Sequence, residues 1–119
     1  RRVTGVQTCA LPISKNPMVG KTLPLSHELF DFAETIFDVL ESRQVTLSKK
    51  GEDKGVRLSF EGFPYLIVWS KPEGDFVAVE PWGGLSTCSD EDDVLEHKRG
   101  CLVAKPKETV VRSFTIEIL

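Results

Sequence analysis

The chain has 119 residues, 40 % of them hydrophobic and 28 % charged, the balance of an ordinary soluble globular protein. That length allows one domain or part of one. A formal net charge of −3 with no basic cluster argues against nucleic acid as a partner, because such binding rests on cationic contacts with phosphate. No apolar run approaches the roughly 20 residues that cross a bilayer, so no membrane association is expected.

The N-terminus stands apart. Val3-Thr4-Gly5-Val6-Gln7-Thr8-Cys9-Ala10-Leu11-Pro12-Ile13 resembles the in-frame translation of a sequencing-library adapter. A signal peptide would need a continuous apolar core, which Thr4, Gln7 and Thr8 interrupt. Residues 1–14 are therefore expected to be an artefact, with the native sequence beginning near Lys15 and extending upstream of it. On that expectation residues 15–119 are the C-terminal portion of one domain. Cys9, Cys88 and Cys101 are too few and too irregularly spaced for a disulfide framework or a paired metal site. A reduced, cytoplasmic setting is expected.

Lys15 to Leu25 is polar and carries Pro17, Gly20 and Pro24, which predicts irregular or partly extended chain. Leu25–Phe30 opens a helical turn with Ser26 as N-cap. Thr35–Leu40 is β-branched and aromatic and predicts a strand. Gln44–Ser48 alternates, with Val45 and Leu47 on one face, and a polar turn with two glycines follows. Val56, Leu58 and Phe60 alternate with Arg57 and Ser59 in the manner of a half-buried strand. Tyr65–Ser70 and Phe76–Glu80 flank Lys71-Pro72-Glu73-Gly74-Asp75, the turn chemistry of a hairpin. Pro81 to about Gly100 is irregular. Cys101–Ala104 predicts a short strand, and Thr109–Leu119 closes the chain as the last one. Six or seven short strands with frequent turns make an all-β, antiparallel sandwich the expected architecture. If upstream strands are missing, such a sandwich exposes an edge or an apolar face.

Glu80 is the candidate for chemistry. It lies at a strand end, on the face opposite Val77 and Val79, with Trp69 and Trp82 in the same hairpin region. Carboxylates beside indoles suit sugars, whose C–H faces stack on rings while their hydroxyls need directional acceptors. The residues alone favour the plainer alternative of a solvated strand end beside two core tryptophans. His27 and His97 have no metal-ligand spacing and read as surface residues, and no metal site is expected. Asp90-Glu91-Asp92-Asp93 reads as a solvated charge run that does not fit a calcium loop. Arg112, on an apolar face, is expected to pair with a carboxylate or to lie at a strand end.

Several blocks, taken in order, resemble the aldose 1-epimerase (galactose mutarotase-like) family. They are Leu23–Phe30, Ser42–Leu47, Gly62–Leu66 with Trp69–Pro72, Val79–Gly84, and Leu95–Gly100 with the closing strand. The resemblance implies a large antiparallel supersandwich that binds a free aldohexose in a groove on one sheet and interconverts its α and β anomers without a cofactor. It implies a late glutamate as general base, matched by Glu80; Trp69 and Trp82, the indoles beside it, are then the expected substrate-binding residues. It also implies a catalytic histidine in a His-Pro-type segment upstream. Nothing here matches that segment, since His27 stands in another context, so the chain is expected to be an inactive fragment of an isomerase. The alternative is a non-catalytic carbohydrate-binding sandwich of the same fold.

Overall fold

A computed structural model of the chain describes residues 17–31, 34–88 and 90–119. The proposed artefact, residues 1–14, lies outside them. Six strands are formed: β1 (Thr35–Phe37), β2 (Gln44–Ser48), β3 (Gly55–Ser59), β4 (Tyr65–Trp69), β5 (Ala78–Trp82) and β6 (Thr115–Ile118). Two short 3-10 turns, His27–Phe30 and Leu95–His97, are the helical elements among the described residues. The strands make two antiparallel sheets, ordered β1-β4-β5 and β2-β3-β6. The expected all-β architecture of two antiparallel sheets is what the chain adopts.

Alternation decides which side of each sheet faces the other. In β4 the side chains of Leu66 and Val68 point inward and those of Tyr65, Ile67 and Trp69 outward. Phe37 of β1, Leu66 and Val68 of β4, Leu58 of β3 and Phe60 just beyond it form one buried cluster with Phe30. Val45, Val77 and Val79 pack against it, so the valine face of the second hairpin strand is the core face. Phe60 is fully buried, and its amide donates to the Arg43 carbonyl (2.9 Å), which ties the end of β3 to the start of β2. Outward, Ile36, Ile67 and Leu85 form a second cluster flanked by Tyr65, Trp69 and Trp82.

The structure corrects several expected boundaries. Cys101–Ala104 is not a strand, and the exposed chain from 101 to 114 has no regular structure. Its apolar residues have local β propensity, but a strand needs a ladder partner, and the turn closed by Glu108 N to Lys105 O (2.9 Å) leads the chain away. The closing strand shrinks to Thr115–Ile118, where β3 supplies the partner. Thr35–Leu40 shrinks to Thr35–Phe37 for the same reason: only those residues pair with β4. The fifth strand begins at Ala78 rather than Phe76, and Pro81 does not end it. Leu66 stands opposite Pro81 and Tyr65 opposite Trp82. Proline is tolerated because β5 is an edge strand among the described residues, and its missing N–H is not required by a further neighbour. The helical turn is present, but Ser26 makes no side-chain capping bond to it.

Cys88 is buried, whereas Cys101 is a free, exposed thiol. No helix among the described residues is long and apolar enough to cross a membrane.

Candidate functional site

The outward face of β1-β4-β5 gathers the residues singled out in the sequence. Glu80 stands opposite Ile67 in the β4–β5 ladder, and Trp69 stands opposite Ala78. Trp69 is thus the diagonal cross-strand neighbour of Glu80, within reach of a large side chain. Trp82 follows two residues later on the same strand and face. The Trp69 indole N–H donates to Glu80 Oε1 (2.7 Å), and the Trp82 indole N–H donates to Glu80 Oε2 (2.9 Å). Each carboxylate oxygen therefore has its own donor, and the plane of the group is fixed from two sides. An indole N–H can only donate, so both oxygens are held as acceptors.

The indoles are themselves held. Trp69 meets Phe76 edge to face, with centroids 5.6 Å apart and planes at 89°, a preferred aromatic geometry. Phe76, expected in a strand, instead covers one side of Trp69 from the loop that precedes β5. Trp82 packs with Tyr65 around the Ile36–Ile67–Leu85 cluster. Glu80 is half-buried, and it opens into a groove of about 650 Å³. The floor is Ile67, Trp69, Glu80 and Trp82, and the rim is Phe30, Asp31, Glu34, Ser70, Lys71 and Pro72. The groove thus combines an apolar floor, two indoles, carboxylates and one ammonium, a mixture suited to a small polyhydroxylated molecule.

Sequence reasoning placed Glu80, Trp69 and Trp82 in one region, and the structure brings the three into contact. It missed Asp31, Glu34 and Lys71. Lys71 was visible only as a turn residue. Asp31 and Glu34 reach the groove because the 3-10 turn ends beside β4, a long-range arrangement with no local signal.

The remaining candidates lie elsewhere. His27 is exposed at the start of the 3-10 turn, and His97 is exposed with its Nδ1 2.7 Å from Asp92 Oδ2. Neither histidine lines the groove. Among the described residues Arg112 forms no ion pair with a carboxylate; its guanidinium lies 5.7 Å from the centre of the Phe63 ring. Among the described residues no group of three or more His, Cys, Asp or Glu is placed to hold a metal ion.

The acidic run is more than a solvated loop. The Glu91 side chain is only 12 % exposed; its Oε2 accepts from the Cys88 amide (3.1 Å) and from Lys98 Nζ (3.2 Å). Asp90 pairs with Arg99 at 3.1 Å. The Cys88 amide, and then the Lys98 ammonium, hold the Glu91 carboxyl below its ordinary value. Asp92 is lowered too, first by its bond to His97 and then by the Val94 amide. This network folds the loop between β5 and the C-terminal segment back on itself.

No known protein family's profile matches the chain, and no solved structure matches it. It is similar to Protein LacX of Lactococcus lactis subsp. lactis, in both its plasmid and chromosomal forms. Each is 41 % identical over 128 aligned residues, which cover 96 % of this chain and 43 % of the relative. The chain thus spans less than half the length of the curated relatives it matches.

Proposed function

We propose that the outward face of β1-β4-β5 carries the general-base half of an aldose 1-epimerase-like site, with Glu80 as the base. The observation that supports this most is the double anchoring of Glu80 by two indole N–H groups at the floor of a groove. A carboxylate offers about four lone-pair sites, and the indoles take two of them. The others remain for a hydroxyl of a bound sugar. Glu80 takes the proton of the anomeric hydroxyl while an acid from elsewhere in the protein protonates the ring oxygen. The C1–ring oxygen bond breaks, an aldehyde forms, and rotation about C1–C2 presents its other face. In ring closure Glu80 returns its proton to the carbonyl oxygen while the attacking hydroxyl gives its proton back to the acid, which restores both Glu80 as the anion and the acid in its protonated form. No step requires a cofactor.

The acid is not among the histidines described here, since His27 and His97 stand away from the groove. A second reading is a sugar-binding sandwich of the same fold that performs no chemistry. One experiment separates the two. In a protein of the full LacX length, anomer exchange of an aldohexose is followed by polarimetry or NMR, with and without Glu80→Gln. The base role predicts a fall in kcat of roughly 10²–10⁴-fold. An unchanged rate in the variant rejects Glu80 as the base. Sugar binding with no anomer exchange in the unsubstituted protein establishes the binder instead.

A further inference from the structure

The groove beside Glu80 is rich in hydrogen-bond acceptors and almost empty of side-chain donors. The carboxylates of Asp31, Glu34 and Glu80 only accept when ionised. The indole N–H groups of Trp69 and Trp82 are both spent on Glu80. The Ser70 hydroxyl donates to the Lys71 carbonyl (3.0 Å). Lys71 is what remains: among the described side chains that line the groove, its ammonium alone has protons that no other group takes. The turn fixes where that side chain starts. The Lys71 carbonyl accepts from Ser70 Oγ and also from the Gly74 amide (3.0 Å), which closes the turn between β4 and β5. A Cβ on Gly74 would stand 3.0 Å from that carbonyl and 3.1 Å from the Phe76 ring, so the turn has little room to shift. The backbone of Lys71 is thus held, while its side chain is exposed and unattached.

A sugar hydroxyl needs no donor from the protein, since it can give its own proton to a carboxylate. A pyranose ring oxygen has no proton and can only accept. It is bonded to the same carbon as the anomeric hydroxyl, so a sugar whose anomeric hydroxyl meets Glu80 holds its ring oxygen in the same groove. We propose that Lys71 is the donor to that ring oxygen, a substrate-binding group that sets which edge of the sugar faces Glu80. The bond occupies one of the oxygen's two lone pairs and leaves the other for the proton that arrives as the ring opens. The ammonium keeps its own protons and stabilises the negative charge that builds on this oxygen while the C1–oxygen bond lengthens. The role rests on the groove being a sugar site, not on Glu80 acting as a base.

The test reads binding through the fluorescence of Trp69 and Trp82, the chain's 2 tryptophans, both of which line the groove. Glucose and galactose are each titrated against their carbocyclic analogues, in which a methylene replaces the ring oxygen. The proteins are the 119-residue chain and a protein of the full LacX length that carries it, each unsubstituted and as Lys71→Met. Methionine keeps an unbranched stem and loses the donor, and the bonds that hold the turn are made by a backbone carbonyl that the substitution leaves in place. The unsubstituted protein is expected to bind at least one aldose about tenfold more tightly than its analogue, the worth of a charge-assisted hydrogen bond. In Lys71→Met that ratio is expected to collapse to about one, and in Lys71→Arg to be partly restored. Equal affinities for aldose and analogue in the unsubstituted protein overturn the proposal, and so does a ratio that survives Lys71→Met. Equal weakening of both ligands in Lys71→Met also overturns it, in favour of a lysine that only balances the groove's carboxylates. Binding of no aldose by either protein overturns the sugar-site reading and, with it, this role for Lys71.

Discussion

The two sheets have similar strand lengths and opposite states of completion. In β1-β4-β5 both faces are occupied: Leu66 and Val68 are buried inward at 2 % and 5 % exposure, and Ile67 outward at 0 %. In β2-β3-β6 the polar face is solvated and the apolar face is covered only where Leu58 and Val45 meet the core. The comparison shows why the candidate site lies where it does. A carboxylate can be held in one orientation only if its donors cannot move. Trp69 and Trp82 are fixed because they pack on a sheet already closed from behind. A polar constellation on the second sheet, such as Arg57–Glu117, has no such backing and remains an exposed pair of modest worth.

The largest expected effect contrasts the same truncation on the two sheets. Ile67→Ala empties a fully buried position and is expected to destabilise by about 2–5 kcal/mol. Ile118→Ala, at 85 % exposure, is expected to change stability by less than about 0.5 kcal/mol. Urea unfolding of both variants checks this; equal losses would mean that the two sheets are covered alike.

Next in size is the indole clamp. Trp82→Phe keeps an aromatic face but removes a hydrogen bond to a charged group, worth about 1.5–3 kcal/mol. If the indoles position Glu80, kcat in the LacX-length protein is expected to fall about 10–100-fold with KM little changed. A rise in KM with kcat intact would instead make Trp82 a stacking surface for the sugar, the role expected of an indole beside a carboxylate. Trp69→Phe is expected to behave alike, with Phe76 still holding the ring.

How far the sequence revealed this follows from the same contrast. Tyr65–Trp69 is apolar at every position, the signature of a strand buried on both faces, and its hairpin with β5 was legible from the Pro-Glu-Gly turn. The alternation of β2 and β3 likewise named their apolar face. What no local pattern held was closure: the 3-10 turn that brings Asp31 and Glu34 to the groove, and the failure of Cys101–Ala104 to find a partner. Pro81 misled because the sequence does not say which strand is an edge. The grouping of Glu80 with both tryptophans was legible from strand periodicity; the direction of the two N–H bonds was not, since it depends on rotamers set by Phe76 and Tyr65.

A third, smaller effect lies where the C-terminal segment meets the completed sheet. Gly100 has φ +72, and a Cβ there would lie 2.6 Å from the Tyr65 ring and 2.7 Å from the Gly83 carbonyl. Gly100→Ala is expected to cost about 1–3 kcal/mol, from backbone strain plus that clash. Gly20 also has positive φ, but a Cβ there meets nothing within 4 Å. Gly20→Ala is expected to cost about 1 kcal/mol from strain alone. Thermal unfolding of the pair isolates the packing share. If both variants lose the same stability, Gly100 is a turn residue and does not seat the loop against Tyr65.

The smallest effect is the pH response of the loop that joins the two halves. The Glu91 carboxyl is held below its ordinary value of 4.5 by the Cys88 amide and then by Lys98. A carboxyl lowered by folding stabilises the fold when ionised. That contribution is complete above the unfolded value and is lost as pH falls through the lower, folded one. The Cys88 amide is therefore expected to be protected from hydrogen exchange near neutrality and to lose that protection as the solution is made acidic, below the ordinary carboxylate range. Glu91→Gln keeps an oxygen for the Cys88 amide but removes the charge that Lys98 meets. Its protection, corrected for intrinsic exchange, is expected to be weaker near neutrality and nearly flat with pH. Asp92 is lowered in the same sense by His97 but is exposed, so Asp92→Asn is expected to change the profile less. Matching profiles for the unsubstituted chain and Glu91→Gln would show that the loop is held by its apolar contacts at Leu85 and Cys88, and that the charge network only decorates a join the completed sheet already makes.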